Sequence, residues 1–567
     1  MSTLHYARPP HAAGTSSVAF LRTVPRPFAH APDCTPPAVL PPVTGLQVTT
    51  PSNIALSTTT TFALGRVKHS AVQGASFGHA MYGPNGHAAL RARTETARFI
   101  FIEEYGVLGL AHFADVCTRM QDAARHQRPD PTPLDPFSLR HLHLALTGDP
   151  RQHVAPGALA MLVHHPPKGS ATSPVDTLRG HGQDFLATFK QVYYLQQQHR
   201  RDETQAGGLE LGTVAHMFDG LGKATPEQVY AAVEQLNRRA LTAQALQQLR
   251  NPHVVLLRHS VQLFVNRRLA ERQAAADGQP IYIWRSHDRL QSYGTVPPAL
   301  AAELEFLPWN KTAHTPTLGM FFRGMEYAFG DSKLPGLHRC TNNSAFGVTL
   351  VLHDDEPEPS IEPGVHVLQY MPKGIVVRPG GPPLGTVCSP TAAGEDIVPR
   401  DCILVPRETH SFEVLHEGVM VSVTRTGIPL LDGYAVTDYA AQGANFGSAD
   451  WIAHLNIPHD VLQAEHGRTR SDKRAGTMSR ASIFVILTRF RDWDSLHLLA
   501  PLWQSGDEEA KQAVMTKFLQ LAAREEGLAR EIERLQALAA EHRQVVAAQL
   551  EELRRRAAAG ALARGTT

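Results

Sequence analysis

Apolar residues recur at three- and four-residue spacing through the first half of the chain. Segments 88–108 and 226–249 show this spacing most clearly, and it predicts amphipathic helices. Thr225 stands directly before Pro226, which is typical of a helix start because proline suits the first helical position. The pattern predicts a mainly helical domain over residues 80–275.

The spacing changes beyond residue 280, where short β-branched runs alternate with loops rich in glycine and proline. Such runs are typical of antiparallel strands joined by turns. We therefore predict an antiparallel β domain over residues 280–430, followed by a connecting region over 440–505. The expected fold class is α+β, with separate helical and β domains.

Residues 508–557 keep a helical pattern to near the end of the chain. Two apolar seams at heptad spacing run along it: Phe518, Ile532, Ala539, Val546 and Leu553 form one, and Leu521, Leu528 and Leu535 the other. Polar residues interrupt both seams, so the heptad pattern is imperfect. A helical hairpin packed on the body and a coiled coil that joins two copies both fit this tail.

Residues 1–65 are rich in proline, serine, threonine and alanine, with Asp33 as their one acidic residue. A segment of this composition buries too little apolar surface to offset its ordering entropy, so we expect a disordered leader. It lacks the apolar core of a secretory signal peptide. An organelle transit peptide, the leader of an exported bacterial effector and a plain disordered tail all fit.

The composition of the 567-residue chain is that of a globular protein, with 43% hydrophobic and 19% charged residues. Its 54 Lys and Arg against 53 Asp and Glu give a formal net charge of +1, so we expect no nucleic-acid partner. Five scattered cysteines predict neither a disulfide framework nor a cysteine-rich metal site. The apolar runs are too short to cross a membrane.

Four short motifs within the β domain follow one another in a fixed order. Phe321-Phe322-Arg323-Gly324 comes first, and Ser344 follows 21 residues after Arg323 (344 − 323). A run at 367–374 ends in Pro-Lys-Gly, and a strand pattern starts at Ile403. This order resembles that of arginine-type ADP-ribosyltransferases.

The resemblance implies a transferase that uses NAD as cosubstrate and modifies a protein side chain. Arg323 and Gly324 would then bind NAD, and Ser344 would support the nicotinamide site. The catalytic carboxylate would hydrogen-bond the ribose 2′-hydroxyl in the transition state. The family's Glu-x-Glu motif is absent here, because the sequence reads Arg400-Asp401-Cys402 at that place. Asp401 and Glu395 are the candidates for the catalytic carboxylate.

Arg285, which follows the run Ile281-Tyr-Ile-Trp284, is a second candidate for the arginine of the first motif. We prefer Arg323, because the glycine after it allows the backbone to approach a nucleotide closely.

The helical domain has a fainter resemblance, to the phosphodiesterase domain of the SidE effector family. His87 follows Tyr82-Gly83-Pro84-Asn85-Gly86, and Asp122 and Arg125 lie in Gln121-Asp-Ala-Ala-Arg125. His199, on a later helix, would complete such a site. The order phosphodiesterase, transferase and coiled coil is also that of SidE proteins. Two histidines of the family's motifs are replaced here by Tyr82 and Gln121, which removes part of the catalytic machinery.

Three functions fit these patterns. The first is an effector-type ADP-ribosyltransferase that acts on a host protein, either secreted into a host cell or retained in the cytoplasm. The second is a catalytically degenerate protein of the same fold that acts through protein interactions, with self-association through the C-terminal helices. The third is a structural β-sandwich protein whose motif match is fortuitous.

Overall fold

A computed structural model describes the chain except for several segments. The described residues are 18–21, 99–102, 105–127, 143–153, 162–163, 174–194, 205–257, 259–290, 294–305, 307, 311–312, 315–329, 344–379, 398–399, 401–442, 446, 450–455 and 478–564. They divide into two compact units, Met1–Thr225 with Leu521–Thr567 and Pro226–Gln520.

The first unit is built on a four-stranded sheet. Its strands are β1 (Val18–Leu21), β2 (Phe99–Ile102), β3 (His143–Gly148) and β4 (Gln191–Tyr194), in the order β2-β3-β1-β4. Strands β2 and β3 run parallel, whereas β1 pairs antiparallel with β3 and β4. Helices α1 (Leu110–Gln127), α2 (Pro174–Ala187) and α3 (Ala206–His216) accompany the sheet.

The core of the first unit forms where α1 and α2 bury their apolar faces. Phe113 and Phe189 lie with ring centroids 6.3 Å apart, and both are fully buried with Leu146 of β3. Helices α1 and α2 approach each other closely at Gly182, where an added Cβ would lie 2.2 Å from the carbonyl oxygen of Leu110. A glycine in the middle of α2 therefore allows the two helices to pack.

The second unit begins with a parallel sheet of four strands, β5 (Pro252–Leu256), β17 (Ala435–Thr437), β18 (Asp450–Ala453) and β19 (His497–Leu498). Their order is β17-β5-β18-β19. The helices of this unit are α4 (Pro226–Asn237), α5 (Ala243–Gln248), α6 (His259–Ala276), α7 (Pro298–Glu305), α8 (Asp438–Ala441), α9 (Arg480–Leu487) and α10 (Glu508–Ala522). All five residues of β5 are buried, as expected for a strand covered on both faces.

The β module lies between β5 and β17 in the sequence. Its largest sheet has the order β13-β12-β10-β9-β16 and is antiparallel, with β9 (Glu326–Phe329), β10 (Ser344–Val351), β12 (Gly374–Pro379), β13 (Ile403–Pro406) and β16 (Leu430–Asp432). A second sheet has the order β11-β6-β8, from β6 (Pro280–Arg285), β8 (Leu318–Phe321) and β11 (Gly364–Val367). Their apolar faces share one core around Trp284, Phe322 and Tyr327.

A long hairpin completes the module. Strands β14 (Glu408–His416) and β15 (Val419–Gly427) pair along nine residues, and β15 also pairs with β7 (His287–Leu290). The turn places Glu417 at φ 50° and Gly418 at φ 79°, the left-handed conformations of a two-residue hairpin loop.

The chain is a mixed α and β protein, as predicted, and the segment 280–430 contains mostly antiparallel strands. The helical prediction for 80–275 omits four strands, because apolar runs of four to six residues such as Phe99–Ile102 fit a strand and a helix turn equally. Four residues of the predicted disordered leader form β1, and the rest of residues 1–65 lies outside the described residues. The predicted domain boundaries stay predictions.

The predicted coiled coil is wrong. Helix α11 (Glu526–Arg564) turns its seam toward its own unit, where Leu528 and Ile532 pack with Leu162, and Leu535 and Ala539 join the core of α1 and α2. These four seam residues are therefore not free for a second helix. Within the described part of the chain, no helix is both long enough and apolar enough to cross a membrane.

Candidate functional site

A cavity of about 280 Å³ lies in the β module, between β6, β8 and β10. Its walls are mostly apolar, with one cation and a few hydroxyl and amide groups. The lining residues are Gln279, Pro280, Tyr282, Phe321, Arg323, Val348, Thr349, Leu350, Leu352 and Pro359. The cavity is at the small end of the range for small-molecule sites, about 300–1,000 Å³, and so suits one ring system better than a whole dinucleotide.

Arg323 reaches this cavity from the turn between β8 and β9. The residue is exposed, and within the described residues no hydrogen bond or ion pair is recorded for its guanidinium. The turn needs Gly324, whose φ of +88° is one that side chains rarely adopt, and whose N–H donates to the carbonyl of Gly347. Gly324 therefore shapes the turn that presents Arg323.

Tyr282 forms the aromatic wall of the cavity. Its ring is half-buried on β6, and the His366 ring lies 5.9 Å away at a tilt of 36°. The Tyr282 hydroxyl donates to the carbonyl oxygen of Ser360 at 3.0 Å. Desolvation raises the pKa of Tyr282, so its hydroxyl stays protonated near neutral pH.

The cavity brings together only part of the site that the sequence predicts. Arg323 lies in its lining and Gly324 beside it, whereas Ser344 is described only in its backbone, as the first residue of β10 opposite Ala328. Asp401 also lies outside the lining. Among the described residues, no carboxylate lines this cavity, and the grouping of arginine, serine and carboxylate in one site stays a prediction.

Asp401 has a different partner. Its Oδ2 lies 2.6 Å from Nε of Arg378, and its side chain is 60% exposed. Its pKa is lowered: desolvation acts to raise it, and a backbone N–H together with Arg378 outweighs that effect.

Arg285, the alternative to Arg323, ends β6 at the surface. Its guanidinium lies 3.2 Å from Glu305 on α7. Arg285 is not among the residues that line the cavity.

The remaining predicted site residues stay untested. Glu395, His87 and His199 lie outside the described residues. Asp122 and Arg125 lie in helix α1, but the positions of their side chains are not described.

The first unit has its own buried polar cluster at the end of β3. Asp149 and Arg151 form a two-pronged ion pair there, with distances of 2.8 Å from Nε to Oδ1 and 2.8 Å from NH2 to Oδ2. Asp219 lies near enough for the Arg151 charge to affect it. Burial acts to raise the pKa of Asp219, but His216, the Leu221 N–H and Arg151 lower it overall.

Sequence reasoning missed Tyr282 and the aliphatic wall of the cavity. Tyr282 lies in the run Ile281–Trp284, where it was counted only as a strand residue. Because side chains alternate between the two faces of a strand, Tyr282 lies on the face opposite to that of the buried Ile281 and Ile283. This alternation could have identified Tyr282 as a residue of the cavity. Among the described residues, no group of three or more histidine, cysteine, aspartate or glutamate residues could hold a metal ion.

No protein-family model and no curated protein sequence matches this chain. The solved structures that it matches include Pif1 helicases. One is the Pif1 helicase from Candida albicans, with a TM-score of 0.41, 11% identity and coverage of 80% of this chain and 81% of that one. Another is the Bacteroides Pif1 helicase in complex with ADP-AlF3 and single-stranded DNA, with a TM-score of 0.40, 12% identity and coverage of 82% and 86%. Likeness at this level assigns no function to the chain.

The predicted membership of the ADP-ribosyltransferases is wrong. The structures that the chain matches are Pif1 helicases and not ADP-ribosyltransferases. The prediction depended on the order of four short motifs and not on a match of the whole domain. The prediction of NAD as cosubstrate depended on the transferase and is wrong as well.

The prediction that excluded nucleic acid as a partner is contradicted by the comparison, in which matched Pif1 structures are complexes with single-stranded DNA; that binding is a property of those proteins. A formal net charge of +1 describes the whole chain and not its local surfaces. Nothing in the described structure supports secretion or a role in virulence.

Proposed function

We propose that this chain binds single-stranded nucleic acid through the cavity of its β module, with a base on Tyr282 and a phosphate at Arg323. One observation carries the proposal: an exposed arginine without a recorded partner stands at the edge of an apolar cavity with an aromatic wall. Proteins that bind single strands combine such stacking surfaces with cations that contact the backbone.

The chemistry of the cavity favours a base over other flat ligands. Its apolar lining accepts a π-face, while Gln279 and Thr349 offer hydrogen-bonding groups to a base edge. Base stacking is worth about 1–3 kcal/mol per base and tolerates any sequence. We therefore expect weak binding with little sequence preference.

The proposal covers binding and does not extend to hydrolysis by a P-loop. The printed sequence contains no Gly-x-x-x-x-Gly-Lys-Ser/Thr motif. Its one Gly-Lys pair, Gly222-Lys223, has Met217 where the motif needs the first glycine and Ala224 where it needs a hydroxyl.

Fluorescence anisotropy with a labelled oligo(dT) strand at low salt tests the proposal. Arg323→Ala should weaken binding about tenfold, as expected for the loss of one charged contact worth about 1.5 kcal/mol. Arg289→Ala is the matched control, because Arg289 is an exposed arginine on β7 of the same module outside the cavity. Absence of binding by the natural chain and by every variant, or equal loss in both variants, would overturn the proposal.

Salt dependence gives a second readout. A site that neutralises one phosphate of a single strand should show a slope of about −0.7 in log K against log salt concentration. Arg323→Ala should flatten this slope, and Arg289→Ala should leave it unchanged. A slope several times steeper would place the main contact on a larger basic surface elsewhere.

A further inference from the structure

Residues 353–363, which we call the acidic strap, follow β10 and cross to β11 beside the cavity. The strap contains five acidic residues and no lysine or arginine: Asp354, Asp355, Glu356, Glu358 and Glu362. Pro359 of the strap forms part of the cavity wall. A strongly negative segment thus lies beside the group that we propose to bind a phosphate.

Two sets of contacts hold the strap in this place. Glu356 accepts backbone hydrogen bonds from Gln369 at 3.0 Å and Tyr370 at 2.6 Å, which fixes the strap to the segment after β11. The Tyr282 hydroxyl donates to the carbonyl of Ser360 at 3.0 Å, which fixes it to the cavity wall. The second contact comes from the ring that would carry a stacked base.

The charges of the strap are only partly neutralised. Asp354 pairs with Lys373, and Asp355 lies 3.5 Å from His353. Glu358 and Glu362 are exposed, and among the described residues neither carboxylate has a recorded partner. Their charges therefore oppose any phosphate that approaches the cavity.

We infer that the acidic strap is an autoinhibitory element, pinned by the Tyr282–Ser360 hydrogen bond, that restrains single-stranded nucleic acid from entering the Arg323 cavity. The inference rests on the proposed function of this cavity. Its physical basis is electrostatic repulsion, because the strap holds Glu358 and Glu362 beside the cavity that the phosphate must approach. Release of the strap moves Glu358 and Glu362 away from the phosphate.

The hydroxyl and the ring of Tyr282 have opposite effects under this inference, so two substitutions at one position separate them. Tyr282→Phe keeps the stacking ring and loses the bond to Ser360, and should tighten oligo(dT) binding two- to tenfold. Tyr282→Ala loses the ring and should weaken binding. Equal or weaker binding by Tyr282→Phe relative to the natural chain would overturn the pinning role.

The charges are tested by Glu358→Gln with Glu362→Gln, which keeps the shape of the strap. This double variant should bind oligo(dT) three- to tenfold more tightly at low salt, and the gain should vanish near 1 M salt, where the Debye length is about 3 Å. Glu303→Gln with Glu413→Gln is the control, since both residues are exposed acids of the same unit outside the strap. An unchanged affinity in the strap variant would overturn the inference.

The failure of this inference differs from the failure of the proposed function. If the natural chain binds oligo(dT) and Arg323→Ala weakens this binding, the proposed function stands. If none of the strap substitutions changes the affinity, the autoinhibitory role of the strap is wrong. Binding that appears only in the strap variants supports complete autoinhibition. No binding in any variant overturns both.

Discussion

Nε2 of His253 on β5 lies 2.9 Å from Oε2 of Glu326 on β9, and this contact joins the parallel sheet of the second unit to its β module. The His253 side chain is 2% exposed. Its Nδ1 lies 3.1 Å from the carbonyl of Asn251, so both ring nitrogens have partners. The rings of Tyr434 and Trp451 pack against the His253 ring.

Removal of the Glu326 carboxylate should destabilise the protein, because it leaves a buried ring nitrogen without an acceptor. We expect Glu326→Leu to lower the free energy of unfolding by about 1–3 kcal/mol, measured by urea denaturation. Glu413→Leu, at an exposed position on β14, is the control and should change it little. The double variant with His253→Phe should cost less than the sum of the two single changes. Additive costs would show that the pair does not interact.

The ion pair between Arg425 and Asp288 supports the long hairpin from within. Arg425 is fully buried, with Nε 2.6 Å from Oδ1 and NH2 2.8 Å from Oδ2 of Asp288, and its guanidinium also packs over the Phe412 ring. Asp288→Ala would leave this guanidinium without a counter-charge and should lower the free energy of unfolding by about 3–5 kcal/mol. Asp494→Ala, whose fully exposed carboxylate pairs with Arg239 at 3.7 Å, is the control and should change it by less than about 1 kcal/mol. Thermal denaturation of both variants gives the comparison.

Asp432 on β16 should make stability depend on pH. Burial raises its pKa from 3.8 to about 7, and Arg267 opposes this only in part. The folded state therefore holds a proton that the unfolded state has released, so stability should fall as pH rises from about 5 to 8, by at most about 1.4 kcal/mol per pH unit.

Asp432→Asn removes this titration and should flatten the profile of unfolding free energy between pH 5 and pH 8. Glu413→Gln, which removes an exposed carboxylate from the same unit, should leave the profile as it is in the natural chain. A profile that keeps its slope in Asp432→Asn would assign the pH dependence to another group.

The sequence predicted the class of the β module better than its chemistry. In runs such as Val348–Leu352 and Val419–Val423, β-branched and apolar residues alternate with other residues or cluster as they do in strands. These strands could therefore be predicted from residue type alone. The cavity could not, because it depends on the pairing of β6 with β8 and β11, contacts between residues far apart in the chain. Arg323, which the sequence proposed as an NAD ligand, is exposed and lines this cavity, and its functional role stays a prediction.

The parallel strands were harder to recognise. Strand β5 pairs with β17 and β18, which lie about two hundred residues later, and β17 is only three residues long. Short buried strands carry no alternation that separates them from helix turns. The polar residues that follow them, such as Asp438 after β17, therefore received no role in the sequence analysis.

The close approach of Gly319 to Trp284 gives a test of packing inside the β module. A Cβ added at Gly319 would lie 2.2 Å from Cε2 of the indole, and Trp284 is 2% exposed, so its ring cannot move away without opening the core. Gly319→Ala should lower the melting temperature and change the fluorescence of Trp284, at a cost of about 1–3 kcal/mol for overpacking. Gly180 is the matched control, because it lies within helix α2 and an added Cβ there meets nothing within 4 Å. Gly180→Ala should raise stability by about 0.5–1 kcal/mol, since alanine favours the helix. If both substitutions shift stability in the same direction, the contact between Gly319 and Trp284 is looser than these distances imply.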